Sequence, residues 1–316
     1  MHSIFLSLFL AISPLSEGEQ LERLRNLYLE QPTENGFIAT NFVKALGRRS
    51  KSEAMEWKNS SRLLRQIEQN FNHFCKMQKK HLPYAPPSIP KKIHFIWLGS
   101  PLSERRQLVL DSWKNFHPDW EQKIWTDADM DTFVWPDDRL QSLYEEAETF
   151  AEKADLMRAV ILSDEGGIYS DFDVVCLKKF DDLISSGITF FGGMEGYKEQ
   201  GLPISVNNAL IGAAKGHPII NRLIEIIIEN RNMDKNLGPH LRTGPVPLTK
   251  AISDYSMQHK KMEKILILPN SYFYPFYFPV LEKRFKGPNL SQYLQKETMV
   301  LHLYETSWVL EKYKVF

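Results

Sequence analysis

The sequence predicts an α/β fold with a helical N-terminal appendage, and three observations carry that expectation. A proline-rich break, Leu82-Pro83-Tyr84-Ala85-Pro86-Pro87-Ser88-Ile89-Pro90, removes backbone donors and interrupts both helical and strand periodicity. Beyond it, strand-like and helix-like segments alternate, a pattern that builds a mainly parallel sheet with helices on its faces. Within that alternation, Ala154 to Cys176 (ADLMRAVILSDEGGIYSDFDVVC) joins an apolar helix through Gly166-Gly167 to an apolar run carrying two acids. These features divide the chain into a helical region at residues 1–85 and a second domain at residues 86–316.

Taken in order, Ile4 to Ile12 is apolar, has no basic flank apart from His2, and is too short to span a bilayer. A signal peptide and a first helix buried against its neighbours are both open; cleavage after Ser13 would leave Pro14 next, which favours the helix. No other segment approaches about eighteen uninterrupted apolar residues, so a soluble protein without a conventional transmembrane anchor is expected. Leu21, Leu24, Leu27 and Tyr28 recur at helical spacing, as do Leu63, Leu64, Ile67, Phe71 and Phe74. The basic residues of this region, Arg48, Arg49, Lys51, Lys76, Lys79 and Lys80, read as a solvated face, with peripheral membrane or partner contact as the other reading. After the break come a strand at Ile93 to Trp97, a helix from Glu104 to Asn115, a strand near Lys123 to Trp125, and a long helix ending at Asp164. In open α/β sheets ligands bind outside the carboxyl ends of strands, where Trp97, Thr126-Asp127 and Asp171-Phe172-Asp173 would converge.

Composition limits the partners. The 316 residues include 39 basic and 39 acidic side chains, so no global field recruits nucleic acid or anionic membrane, and 43% hydrophobic content suffices for a full core. The two cysteines, Cys75 and Cys176, exclude a disulfide-rich scaffold, and Cys176 at the end of an apolar strand reads as a buried thiol.

The Ala154 to Cys176 segment holds the chemistry. Asp155 and Arg158 lie three residues apart among Leu156, Met157, Ala159, Val160, Ile161 and Leu162, so the two polar side chains share one face of a buried helix. Gly166 and Gly167 stand where a left-handed helix end is needed. On a continuous strand from Ile168 to Val175, Asp171 and Asp173 would point the same way and repel unless a cation lay between them. Mg²⁺ or Mn²⁺, held by one or two carboxylates with positions left for substrate phosphates, suits that pair.

Asp155, Arg158, the Gly-Gly turn, Tyr169, Asp171 and Asp173 in this order resemble the glycosyltransferases with an Asp-x-Asp sugar-binding motif, which include fungal Golgi mannosyltransferases and the glucosyltransferase domains of large clostridial toxins. Ile93-His94-Phe95-Ile96-Trp97-Leu98-Gly99 looks like the family's first strand. Asn207 to Ala213 followed by Gly216-His217-Pro218, then Thr243-Gly244-Pro245, then His302-Leu303-Tyr304-Glu305-Thr306-Ser307-Trp308 continue the resemblance to the C-terminus. It implies a GT-A, Rossmann-like nucleotide-sugar-binding fold for residues 86–316, a nucleoside-diphosphate sugar as donor, and Mn²⁺ or Mg²⁺ as cofactor. It further implies transfer of a hexose or N-acetylhexosamine to a protein or glycan acceptor with retention of configuration. By the same resemblance Trp97 faces the base, Asp155 and Arg158 reach sugar hydroxyls and phosphate, and Tyr169 and Asn208 contact the donor. Asp173 binds the metal directly, and Asp171 binds ribose, sugar or metal through water. His302, Glu305 and Ser307 are metal or phosphate ligands, with His302 against Glu305 left open, and Trp308 covers the diphosphate. The toxin relatives add an effector delivered into a host cell to a cytoplasmic location, and raise membrane contact for the N-terminal helices.

Three further readings follow from the residues. No second carboxylate has a clear claim to be a covalent nucleophile; Glu195, near the apolar strand at Ile188 to Phe191, is the acid to examine for that role and is expected in a solvated loop. Met194, Asn207, Leu237 to Thr243 and the aromatic run Tyr272 to Phe278 are candidates for the acceptor side. The alternative activity is a haloacid-dehalogenase-like phosphatase with Asp171 as nucleophile, which needs its motif on a first strand and a later paired-acid motif; here only Asp181-Asp182 lies close.

Overall fold

The computed structural model describes residues 16–31, 36–46, 61–79, 87–195, 202–275 and 294–304. Their elements are α1 (Glu17–Leu29), α2 (Phe42–Ala45), α3 (Arg62–Lys79), β1 (Lys92–Ile96), α4 (Glu104–Phe116), β2 (Glu121–Trp125), α5 (Asp127–Met130), α6 (Asp138–Glu146), α7 (Phe150–Asp164), β3 (Gly167–Ser170), β4 (Val174–Cys176), α8 (Asp181–Ile184), β5 (Phe190–Met194), β6 (Val206–Ala213), α9 (Pro218–Glu229), α10 (Gly238–Arg242), α11 (Pro245–Gln258), β7 (Ile265–Leu268), α12 (Asn270–Phe273) and β8 (Val300–His302). The expected α/β architecture is present. A six-stranded sheet runs β2-β1-β3-β6-β5-β7, and β4 pairs with β8 in a separate two-stranded sheet. β1 is parallel to β2 and β3, and β5 is parallel to β7, while β6 runs antiparallel to both of its neighbours.

Burial explains why these segments read as near-continuous apolar runs. Every residue of β3, β6 and β7 is buried, as expected of strands covered on both faces. α7 is buried along Leu156 to Leu162, and Thr149 caps it by accepting from the Glu152 N–H at 3.2 Å. It closes at Gly166, which holds φ +68° and donates its N–H to the Leu162 carbonyl at 3.1 Å.

Gly167 is more constrained still. Its φ is +100°, and a Cβ there would meet the Lys92 carbonyl oxygen of β1 at 2.7 Å. Gly167→Ala is expected to lose at least about 1–3 kcal/mol of stability from backbone strain alone. Urea unfolding tests this, with Gly18→Ala in α1 as control, since a Cβ at Gly18 meets nothing within 4 Å. Equal midpoints for the two variants would refute the strain at the helix-to-strand turn.

One local expectation needs correction. Ile168 to Val175 is not one strand: β3 stops at Ser170, and residues 172 and 173 form a turn that carries the chain into β4. The Asp171 N–H still bonds to the Ala209 carbonyl at 2.8 Å, completing the β3–β6 pairing, and the Val174 N–H then closes on the Asp171 carbonyl at 3.2 Å. Phe172 drives the turn by burying its ring between Phe95 and Trp97, at 5.3 and 5.4 Å between centroids. β4 continues away from the main sheet because β8 offers it a partner, with Val174 opposite His302.

The predicted apolar positions of α1 and α3 are buried, and all of them except Leu21 join the same core as the sheet. Phe37 stacks on Tyr272 at 5.2 Å, and the Asn70 side chain donates to the Ile265 carbonyl at 3.0 Å. Cys75 and Cys176 are buried and are not joined in a disulfide. The apolar residues 4–12 and the start of the proline-rich break lie outside the described residues. Among the described residues no helix is long and apolar enough to cross a membrane.

Candidate active site

Asp155 and Arg158 lie on the buried face of α7, at 5% and 4% exposure, so each must find its partners within the protein. They pair at 3.1 Å. Asp155 Oδ1 also accepts from the Asn208 side-chain amide at 2.8 Å, and its Oδ2 accepts from the Thr243 hydroxyl at 2.7 Å. Burial pushes the Asp155 pKa up to about 6, against the pull of Arg158, Thr243 and Asn208. The Arg158 guanidinium donates to the Asn208 carbonyl and to Asp171 Oδ1, the latter at 3.2 Å, and lies 4.3 Å above the Tyr169 ring. Burial opposes its charge, but Asp171, Tyr169 and Asp155 more than compensate and hold its pKa above the usual arginine value.

Asp171 faces this network at the mouth of the sheet, its side chain 30% exposed. The Tyr169 hydroxyl donates to Asp171 Oδ1 at 2.5 Å. Burial raises the Asp171 pKa, Arg158 draws it down, and Asp173 raises it again. Tyr169 and Asn208, expected to contact the donor, direct their polar atoms at these acids.

β8 supplies the third side of the site. The Asp173 carbonyl accepts from the Leu303 N–H at 2.8 Å, and His302 Nε2 lies 3.3 Å from Asp173 Oδ1. Burial lowers the His302 pKa, but Asp173, then Asp171 and Glu195, outweigh it and leave the pKa raised. One ligand atom from each of Asp171, Asp173 and His302 lies within 4.8 Å of the others. Two carboxylate oxygens and an imidazole nitrogen at that spacing fit a divalent cation. Glu305, Ser307 and Trp308 lie outside the described residues.

Trp97 is half-buried at the end of β1 and touches Phe172, the residue between the two acids. The Arg106 guanidinium lies 5.0 Å over the indole and donates to the Phe172 carbonyl at 3.0 Å, tying α4 to the acid turn. Gly99, at φ +82°, donates its N–H to Asp127 at 2.7 Å, so the β1 and β2 carboxyl ends are joined as well.

Glu195 overturns its expectation of a solvated loop. It is 4% exposed, with Oε2 accepting from Ser205 at 3.1 Å and Oε1 from the Asn207 amide at 3.0 Å. The reason is the β5–β6 pairing, which sets the end of β5 against the start of β6. Sequence reasoning also missed Thr243 as a partner of Asp155. Its place before Gly244-Pro245 at the start of α11 marked a helix end, without indicating which side chain it would meet.

Residues 103–188 match the family described as "Glycosyltransferase sugar-binding region containing DXD motif". The chain is 29% identical over 177 residues to subversion of eukaryotic traffic protein A of Legionella pneumophila, across 48% of this chain and 27% of that protein. It is 31% identical over 138 residues to inositol phosphoceramide mannosyltransferase 3 of Schizosaccharomyces pombe, across 43% of this chain and 36% of that protein. These matches therefore span about a third or less of the two curated relatives. Among solved structures, the PaToxG glycosyltransferase aligns with a TM-score of 0.44 and 22% identity, over 61% of this chain and 78% of that one. The matched stretch contains Asp155, Arg158, Asp171 and Asp173, and over it this chain is similar to that sugar-binding region.

Proposed function

We propose that the chain is a GT-A enzyme that transfers a hexose or N-acetylhexosamine from a nucleoside-diphosphate sugar to a protein or glycan acceptor, with a divalent metal and with retention of configuration. The observation that carries this reading is the gathering of Asp171, Asp173 and His302 around one cation-sized position, beside the Asp155–Arg158 pair. A cation held there would neutralise charge on the departing diphosphate. Asp171, Asp173 and His302 would hold it. Asp155, Asn208, Thr243 and Tyr169 keep the Arg158 guanidinium charged and in place, which fixes the orientation of Asp171. Trp97 offers an apolar platform next to the acid turn for a base. Retention rests on the family resemblance alone.

The phosphatase reading is not favoured. In that reading Asp171 is the nucleophile, yet one of its oxygens, Oδ1, is engaged by Tyr169 and Arg158, and the family match is to a sugar-binding region. The test is release of nucleoside diphosphate from UDP-glucose, UDP-galactose, UDP-N-acetylglucosamine and GDP-mannose by the purified chain with Mn²⁺. Release from one donor is expected; no binding or turnover of any would overturn the proposal.

The proposal also divides the chain into a helical region, 1–85, and a catalytic domain, 86–316, and gives the basic N-terminal helices a peripheral membrane contact. Co-sedimentation of the full chain with anionic vesicles, lost in high salt, is the expected result. A chain that stays in the supernatant at low salt would remove that contact.

A further inference from the structure

Two buried polar atoms at the site find no hydrogen-bond partner among the described residues: His302 Nδ1 and the Tyr274 hydroxyl. Buried polar groups are nearly always satisfied, so orphans flanking a site mark where a ligand makes the missing bonds. His302 already belongs to the cation cluster, whereas Tyr274 has no role there. It is 2% exposed, and its ring is held firmly. It stands edge-on to His302 at 5.6 Å and perpendicular to Phe273 at 6.2 Å. Gly193, at the irregularity in β5, makes room for it: a Cβ there would meet the Tyr274 ring at 2.7 Å.

The surroundings select the ligand. A phenol is a neutral donor at ordinary pH, and the Glu195, Asp171 and Asp173 carboxylates and the Arg158 guanidinium make up its charged surroundings. Glu195 is fixed from behind by Ser205 and Asn207, and the Tyr304 hydroxyl reaches its Oε1 at 3.4 Å from a backbone in the left-handed region, φ +52°. A phosphate oxygen only accepts hydrogen bonds, and Glu195, which lies outside the cation cluster, repels it. A sugar hydroxyl both donates and accepts, and so suits a phenol with a carboxylate nearby.

We infer that Tyr274, with Glu195 beside it, binds a hydroxyl of the sugar carried by the nucleotide, and so takes part in choosing that sugar. This rests on the transferase reading. It assigns the recognition of the sugar to the side of the site formed by the ends of β5 and α12, next to His302 of the cation cluster.

Tyr274→Phe tests it, because the ring that packs on Gly193 and His302 is kept and only the hydroxyl is removed. Affinities for Mn²⁺, UDP and GDP are measured by calorimetry, beside those for the four nucleotide sugars named above, with a thermal melt to confirm folding. Mn²⁺ and nucleoside diphosphate affinities are expected to stay within about twofold, while affinity for the nucleotide sugar that the wild type uses falls about tenfold, the loss of one well-placed hydrogen bond. An unchanged ratio of nucleotide-sugar to nucleoside-diphosphate affinity would overturn the assignment, as would an equal loss for both, which would place the phenol on the phosphate or cation side. Failure of the wild type itself to bind any nucleotide sugar is read in separate samples and removes the transferase reading.

Discussion

Asp173→Ala is expected to lower the release of nucleoside diphosphate from the preferred nucleotide sugar by on the order of 10²–10³-fold or more, the scale on which enzymes depend on preorganised charge at a leaving group. The geometry makes Asp173 the pivot of the cation position. It is the residue on which the acid turn and β8 meet, through its carbonyl bond to Leu303 and its carboxylate contact with His302. Its removal leaves Asp171 and His302 as a pair that no longer surrounds a cation. The backbone bond to Leu303 does not depend on the side chain, so the fold should persist. The measurement is diphosphate release alongside Mn²⁺ titration: activity must fall together with Mn²⁺ affinity. Full Mn²⁺ affinity in an inactive variant would move the cation elsewhere, and full activity would dismiss the site.

Arg158→Ala is expected to destabilise the protein by about 3–5 kcal/mol, because it leaves the buried Asp155 carboxylate, and the partly exposed one of Asp171, without their counter-charge. Asp155 lies at 3.1 Å from the guanidinium and Asp171 at 3.2 Å, and the same group donates to the Asn208 carbonyl. Four separate elements, α7, β3, β6 and the α10–α11 junction, meet through this network. Urea unfolding gives the loss. Adding Asp155→Asn should recover part of it by removing one of the stranded charges, so the double variant is expected to be more stable than Arg158→Ala alone. Additive losses from Arg158→Ala and Asp155→Asn would mean that the pair is not energetically coupled. A loss below about 1 kcal/mol for Arg158→Ala would show that water solvates both acids.

The two predictions depend on features that the sequence reveals to different degrees. Asp155 and Arg158 could be paired from a helical period, since three residues along an α-helix bring side chains onto one face. The Gly166-Gly167 turn was equally legible: both glycines adopt positive φ, and only glycine tolerates the approach of β1 to Gly167. The acid turn was read only in part. Alternation placed Asp171 and Asp173 together, but as strand neighbours, whereas burial of Phe172 and the pull of β8 fold that stretch into a turn.

Local chemistry, then, is what the sequence determined: an α/β chain, a helix with one charged face, a glycine-closed turn and two acids awaiting a cation. The tertiary structure alone decided which distant residues complete them. His302 meets Asp173 because β4 and β8 pair, Thr243 meets Asp155 because α11 begins beside α7, and Glu195 is buried because β5 lies against β6. Periodicity records which side of its own element a residue faces. It carries no information about which other element packs there, because that choice is made by burial and backbone pairing across the whole chain.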